Sequence, residues 1–420
     1  MTMTTRGRDQ QPIMAGVVTA LVGFTSSFVV VIAGLRAVGA DPRQAASGLF
    51  ALTVVFALGI IVLSVRSRAP VTLAWSTPGA ALLVGLEGQQ QDWSAAVGAF
   101  LVVGVLIVAT GLIPALGDLI GRIPTPIAQA MLAGVLVTLC LAPVTSMSAE
   151  PLLTAPVIVV WLCATRWLSR WAMPLALLTA LVVIGIYLGV HGAPDWSATP
   201  WWPTISLTVP RVDLAAMIGI AGPLYIVTMA SQNIPGVAVL RSFGYVAPWR
   251  AAMGVTGIGT MVAAPFGGHA INLAALSAAL AAGDEAGPDR SRRWIAGVTA
   301  GIVYLLLAVF SGALVAITAA APGHLMEAVA GLALLGTFAA AIVGALADPD
   351  TRVAAALTFV TAASGVTFAG IGGAFWGLAV GLIANGVMRF GRRNGTSTAG
   401  ERPDAEEAAR AEDRADQAES

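Results

Sequence analysis

Two short runs carry the residues best suited to chemistry. Ser76-Thr77-Pro78-Gly79 and Gly267-Gly268-His269-Ala270-Ile271-Asn272 interrupt stretches that are otherwise apolar. A hydroxyl residue followed by proline is a helix-start signal, the first as N-cap and the second in the first turn. Pro265-Phe266-Gly267-Gly268 is uncomfortable as helix, whereas Ala270 to Ala282 is compatible with one. Each run therefore predicts a helix that begins inside an apolar region, with its free N–H groups and positive dipole end pointing inward. Two such ends facing each other hold an anion without a formal cation. Ser76, Thr77, Pro78, Gly79, Gly267, Gly268, His269 and Asn272 are the candidate ligands. His269 also changes charge near physiological pH, the property a proton carrier needs.

A third interruption, Ser231-Gln232-Asn233-Ile234-Pro235-Gly236, adds Gln232 and Asn233. Amides are costly in lipid unless they meet partners or water. Phe24-Thr25-Ser26-Ser27-Phe28 is its counterpart near the N-terminus. Glu327 is a second candidate proton carrier, and it reads equally well as a group snorkelling to the interface. For every break the competing reading is that Gly and Pro kink packed helices while polar side chains join them.

The elements that must position these groups are membrane helices. The 420 residues are 57% hydrophobic and 10% charged, with a mean hydropathy of +0.84; a soluble domain carries about 25% charged residues. Net charge is zero, which argues against nucleic acid as a partner. Cys140 and Cys163 lie in apolar spans and suggest neither a disulfide framework nor a metal centre. No nucleophile–base pair or phosphate loop is present, so neither an enzyme nor a cofactor is expected. Arg6 and Arg8 precede an apolar stretch without a small-residue cleavage site, which reads as a first membrane helix rather than a removed signal.

Helices of about 20 apolar residues cross a bilayer. Candidate spans cover 13–35, 45–64, 70–86, 94–116, 124–143, 152–167, 171–190, 213–236, 248–264, 266–283, 294–319, 324–346, 352–368 and 371–390. With the N-terminus inside, only Arg36, Arg43 and Arg211 of the 22 basic residues fall outside. That bias is what the positive-inside rule requires, and it places both termini in the cytoplasm. The outer loop 191–212 carries Trp196, Trp201 and Trp202, an expected interfacial belt. The tail 393–420 is polar and ends acidic, and is expected to be disordered.

The halves of the chain repeat weakly. Asp41-Pro42 and Ala247-Pro248 enter matching spans, Ala80-Ala81-Leu82 and Ala274-Ala275-Leu276 follow the two breaks, and Ile123-Pro124 matches Ala321-Pro322. Seven spans per half is odd, so the second half is inverted and the two breaks meet near the midplane. The expected fold class is an all-α polytopic membrane protein built as a 7+7 inverted repeat.

Ser76-Thr77-Pro78-Gly79-Ala80-Ala81-Leu82, Ile123-Pro124-Thr125-Pro126-Ile127-Ala128-Gln129-Ala130-Met131-Leu132-Ala133-Gly134, Ser231-Gln232-Asn233-Ile234-Pro235-Gly236 and Pro265-Phe266-Gly267-Gly268-His269-Ala270-Ile271-Asn272-Leu273 closely resemble the benzoate:proton symporter family, BenE. The resemblance spans roughly residues 12–392, and its last two motifs are the most specific. It implies benzoate and protons as partners, in the cytoplasmic membrane of bacteria that degrade aromatics. The chain is more distantly similar to the uracil permease fold. That likeness implies a core domain (13–120 and 213–319), a gate domain (121–190 and 320–392), and short strands before the half-helices of spans three and ten. Residues 1–12 form the cytoplasmic N-terminus in this scheme.

Nucleobase carriers use a glutamate in span eight, where this chain has Ser231 or Gln232, and another in span ten, where it has Ile271. Loss of both acids favours a carboxylate substrate. Phe24, Phe28, Trp75, Tyr225 and Phe266 flank the site as candidates for an aromatic slot, with ordinary core packing as the other reading. Another anion or a nucleobase on the same fold, and a passive anion channel, stay open as alternatives. A homodimer is also left open.

Overall fold

Proline and glycine decide where the helices of this chain stop. The computed structural model describes residues 5–88, 92–192, 201–368 and 371–396. The first helix starts earlier than expected: α1 (Thr5–Thr25) breaks at Ser26-Ser27 and resumes as α2 (Phe28–Ala37). Asp41 starts α3 (Pro42–Ser67) with a capping box, its carboxylate accepting from Gln44 N while the Gln44 amide accepts from Asp41 N. Pro70 biases Ala69 toward extended backbone, and the β-branched Val71 and Thr72 lead into β1 (Leu73–Trp75). Ser76 then caps α4 (Thr77–Val84).

Helices α5 (Trp93–Leu112), α6 (Pro114–Gly121), α7 (Thr125–Ala149), α8 (Pro151–Trp167) and α9 (Ala172–His191) complete the first half. The second opens with α10 (Leu214–Ser242), which widens into π-turns at Met217–Ala221 and Met229–Asn233. Each π-turn stands just before a proline, Pro223 or Pro235, whose missing N–H interrupts the α ladder. α11 (Trp249–Ala263) ends in a tight turn closed by Gly267 at φ 97°, a left-handed conformation that favours glycine. After it come β2 (Ile271–Leu273), α12 (Ala275–Ala282), α13 (Trp294–Ala308), α14 (Ser311–Ala320), α15 (Leu325–Leu346), α16 (Arg352–Ala363) and α17 (Gly373–Thr396).

Among the described residues, seven helices are long and apolar enough to cross a bilayer, and the α13–α14 pair, bent by 57°, makes an eighth candidate. A helix, a helix pair or a strand with a half-helix stands at each expected span. α17 continues to Thr396, into the stretch expected from 393 to be a tail; 397–420 lies outside the described residues, as does Trp196. Trp201 and Trp202 are exposed, but the rest of their loop does more than skirt the surface. It straps the start of α5 to the turn after α11: Thr208 N donates to Pro265 O, Trp93 Nε1 to Thr208 Oγ1, and Arg211 N to Ser94 O.

β1 and β2 pair antiparallel in the register Leu73↔Leu273, Ala74↔Asn272 and Trp75↔Ile271. This corrects the expected helix over Ala270 to Ala282. Pairing with β1 holds Ile271–Leu273 extended, Ala274 remains extended (φ −89°, ψ 126°), and the half-helix begins only at Ala275. The repeat alignment shifts with it. Leu73–Trp75 corresponds to Ile271–Leu273 and Thr77–Val84 to Ala275–Ala282, so Ser76 is matched by Ala274, not Ala80.

The packing obeys the same correspondence. α3 packs on α13 as α11 packs on α5; α2 on α4 as α10 on α12; α16 on α17 as α8 on α9. α7 and α15, each the other's counterpart, form the most extensive helix pair. Antiparallel pairing of matched strands reverses direction, so the halves are inverted relative to each other. A two-stranded ribbon inside lipid would leave unpaired edges. Here the free edge of β2 is closed by side chains: Ile271 N donates to Thr260 Oγ1 (2.9 Å) and Leu273 N to Asn233 Oδ1 (2.8 Å).

Candidate functional site

Ser76 is where the two broken spans meet. Its N–H donates to Ala270 O (2.9 Å), and its Oγ accepts from Gly79 N (3.2 Å) and from Thr228 Oγ1 (2.8 Å). Its carbonyl accepts from Ala80 N and from His269 Nε2, the latter at 3.0 Å. A carbonyl oxygen can only accept, so His269 carries its hydrogen on Nε2 and its other nitrogen, Nδ1, keeps a lone pair when neutral. His269 is completely buried, and Nδ1 has no partner among the described residues. Its ring stands edge-on to Phe100 at 6.3 Å.

Asn272 is equally buried, and both atoms of its amide lack partners. Thr72 Oγ1, also unpartnered, shares its ribbon face: Ala274 N donates to Thr72 O, and Asn272 pairs with Ala74. Of the five fully enclosed side-chain atoms without a partner among the described residues, only Ser311 Oγ lies away from this ribbon. Buried polar groups are ordinarily satisfied; here the exceptions gather at the half-helix starts.

The other sequence candidates divide. Gly79, Thr77 and Pro78 form the first turn of α4, as expected. Gly267 and Gly268 shape the turn into β2 and stand outside its ligand-bearing face. Asn233 changes role: its Oδ1 holds Leu273 N and its Nδ2 donates to Met229 Sδ (3.1 Å), so both ends of the amide are spent inside the protein. Gln232, in the same π-turn, is half-buried. Phe24, Phe28 and Trp75 pack on one another and on Phe56, with centroids 5.3–5.6 Å apart, and each is at most 2% exposed. They make a closed wall rather than an open slot.

Tyr225 reaches away to Thr110, its hydroxyl 2.5 Å from Oγ1. Phe266 sits in the turn after α11 that the strap holds, apart from these rings. Glu327 stands at the start of α15, more than half exposed and paired with His324 at 2.9 Å, away from the ribbon. Sequence reasoning overlooked Thr228 and Thr260, which bind the ribbon's backbone and cap. Their only signal is a hydroxyl one turn from a break.

The profile of the family described as Benzoate membrane transport protein, BenE, matches residues 8–387. The chain belongs to the BenE family. Inner membrane protein YdcO of Escherichia coli (strain K12) is 37% identical over 379 residues, covering 90% of this chain and 96% of that protein. The Benzoate membrane transport protein of Acinetobacter baylyi is 30% identical over 389 residues, covering 89% and 94%. This BenE chain is thus a bacterial multi-pass membrane transport protein and not an enzyme. In fold it is similar to the transmembrane domain of a cyanobacterium bicarbonate transporter, BicA (TM-score 0.57, 17% identity, 89% of this chain and 97% of that one). It is also similar to SLC26A9 (TM-score 0.56, 14% identity, 90% and 65%).

Proposed function

We propose that this BenE protein imports benzoate, or a closely similar aromatic carboxylate, together with protons across the cytoplasmic membrane. The observation that carries the reading is the pair of half-helix N-termini at one buried ribbon, with His269 bonded to the cap of the first. N–H groups, hydroxyls and helix dipoles neutralise a carboxylate there. The name of the Acinetobacter baylyi relative supports benzoate as the cargo.

Coupling follows from charge. A carboxylate in the site favours protonation of a nearby imidazole, and a protonated imidazole favours the carboxylate. Nδ1 of His269 is the seat for that proton, because Nε2 is engaged. The bound pair is neutral, which lowers the cost of carrying it through a low-dielectric interior.

Movement is by alternating access, the ribbon-bearing helices (13–120 and 213–319) shifting against the helices of 121–190 and 320–392. Two features support it. A cleft of about 420 Å³ opens between the end of α4 and the helices α7, α16 and α17, lined by Leu82, Leu86, Thr138 and Thr367. At the opposite end, Arg170 of the second set pairs with Glu285 of the first. The arginine distribution makes the cleft the outer face and puts both termini in the cytoplasm.

Uptake of labelled benzoate into proteoliposomes, with an imposed proton gradient and competitors, tests this. Carboxylic acids also cross lipid in their neutral form, so protein-free liposomes set the baseline. Gradient-driven uptake above that baseline, displaced by substituted benzoates but not by sulfate, bicarbonate or uracil, is the expected outcome. Displacement by an inorganic anion or uracil would replace the cargo.

A further inference from the structure

The two half-helices are unequal as anion sites. In α4, Pro78 has no N–H and Gly79 N is bonded to Ser76 Oγ, so the first turn leaves only Thr77 free to donate. In α12 no side chain caps Ala274 and no proline intervenes, so Ala275, Leu276 and Ser277 all present N–H groups. The far end of α12 is closed by a cation: the buried Arg293 donates from Nη1 to Ala282 O (2.5 Å) and from Nε to Gly287 O (2.8 Å). A cation at its C-terminus complements the dipole and leaves the N-terminus as the open positive end.

Two hydroxyls converge beside that end. Ser277, in the first turn, is 6% exposed, and Tyr304 on α13 is 1% exposed. Neither hydroxyl has a hydrogen-bond partner among the described residues. A helical serine usually returns its hydroxyl to a carbonyl one turn back; for Ser277 that position is Leu273, which lies in β2. Both side chains meet at Gly23. A Cβ there would stand 2.2 Å from the Tyr304 hydroxyl oxygen and 3.9 Å from Ser277 Cβ, so glycine is what lets the Tyr304 hydroxyl pack there, close to Ser277. Gly23 itself is half-buried, just before the α1–α2 break.

We infer that the Ser277 and Tyr304 hydroxyls, together with the first-turn N–H groups of α12, form the carboxylate-binding end of the site, with Gly23 making room for the Tyr304 hydroxyl. This rests on the proposed transport of an aromatic carboxylate. It places the carboxylate asymmetrically, against α12, and leaves Ser76 as the cap of α4. Both hydroxyls donate to the two carboxylate oxygens, and the ring extends away from them.

The test is benzoate transport kinetics of Ser277→Ala, Ser277→Thr and Tyr304→Phe in proteoliposomes. Ser311→Ala serves as a control that removes an unpartnered buried hydroxyl elsewhere. Loss of a hydrogen bond to a charged group corresponds to about 10- to 100-fold weaker binding. Ser277→Ala and Tyr304→Phe are expected to raise KM by about that factor with little change in kcat. Ser277→Thr is expected to recover most of it, and Ser311→Ala to match wild type. Gly23→Ala, whose Cβ would displace the Tyr304 hydroxyl, is expected to raise KM as Tyr304→Phe does. Wild-type KM in both hydroxyl variants overturns the inference and leaves the transport proposal standing. Absence of benzoate transport by the wild-type protein removes both.

Discussion

His269 donates from Nε2 to the carbonyl of Ser76, 3.0 Å away and 193 positions distant in sequence. The bond ties the turn before β2 to the cap of α4, so the proposed proton seat is anchored to the first half-helix. It also fixes the imidazole tautomer, leaving Nδ1 as the only nitrogen able to gain a proton.

Asn233 is expected to matter for stability before substrate. Replacing it with alanine leaves Leu273 N buried without an acceptor, at a cost of about 1–3 kcal/mol. Thr260→Val does the same to Ile271 N. Both variants should melt several degrees below wild type in detergent, with transport lost in proportion to folded protein. A wild-type melting temperature with a raised KM in Asn233→Ala would return the residue to the substrate site.

Gly267 is the residue of the second break whose backbone conformation favours glycine. At φ 97° any L side chain is strained by about 1–2 kcal/mol, and the added Cβ would press on Gln44 O and Trp93 at 3.1 Å. Gly267→Ala should reduce the yield of folded protein measured by size-exclusion chromatography. Full yield would show that the turn can reshape.

The Arg170–Glu285 pair predicts a charge-swap pattern. Each side chain is about half exposed, so the pair contributes only about 0.2–1 kcal/mol. It nevertheless joins the two sets of helices at the end proposed to close toward the cytoplasm. Arg170→Glu should make a cysteine placed at Val18, beside the pair, react faster with a membrane-impermeant thiol reagent applied from the cytoplasmic side. Combining it with Glu285→Arg should restore slow labelling. Equal labelling in all three proteins would contradict a closure role.

The breaks at Ser76 to Gly79 and Gly267 to Asn272 were legible because polar and glycine residues are rare in apolar spans and expensive there. The inverted repeat was legible in outline from matched prolines. The start of α12 was not: Ala270 to Ala274 suits a helix locally, and only pairing with distant β1 keeps it extended. For the same reason Asn233 read as a ligand, since its partner Leu273 N becomes available only when that strand forms. Ser277 and Tyr304 gave no signal, being ordinary residues in apolar helices until packing brings both to Gly23.

His269→Gln is the most direct test of proton-coupled carboxylate transport. Glutamine can present an N–H close to the position of Nε2, preserving the bond to Ser76, but it cannot carry a proton. Wild-type and variant proteoliposomes would be compared for benzoate accumulation under an inward proton gradient and for benzoate exchange without one, each above the protein-free baseline. The expected result is exchange retained and gradient-driven accumulation lost in His269→Gln. Accumulation equal to wild type would contradict the assignment of the proton to His269.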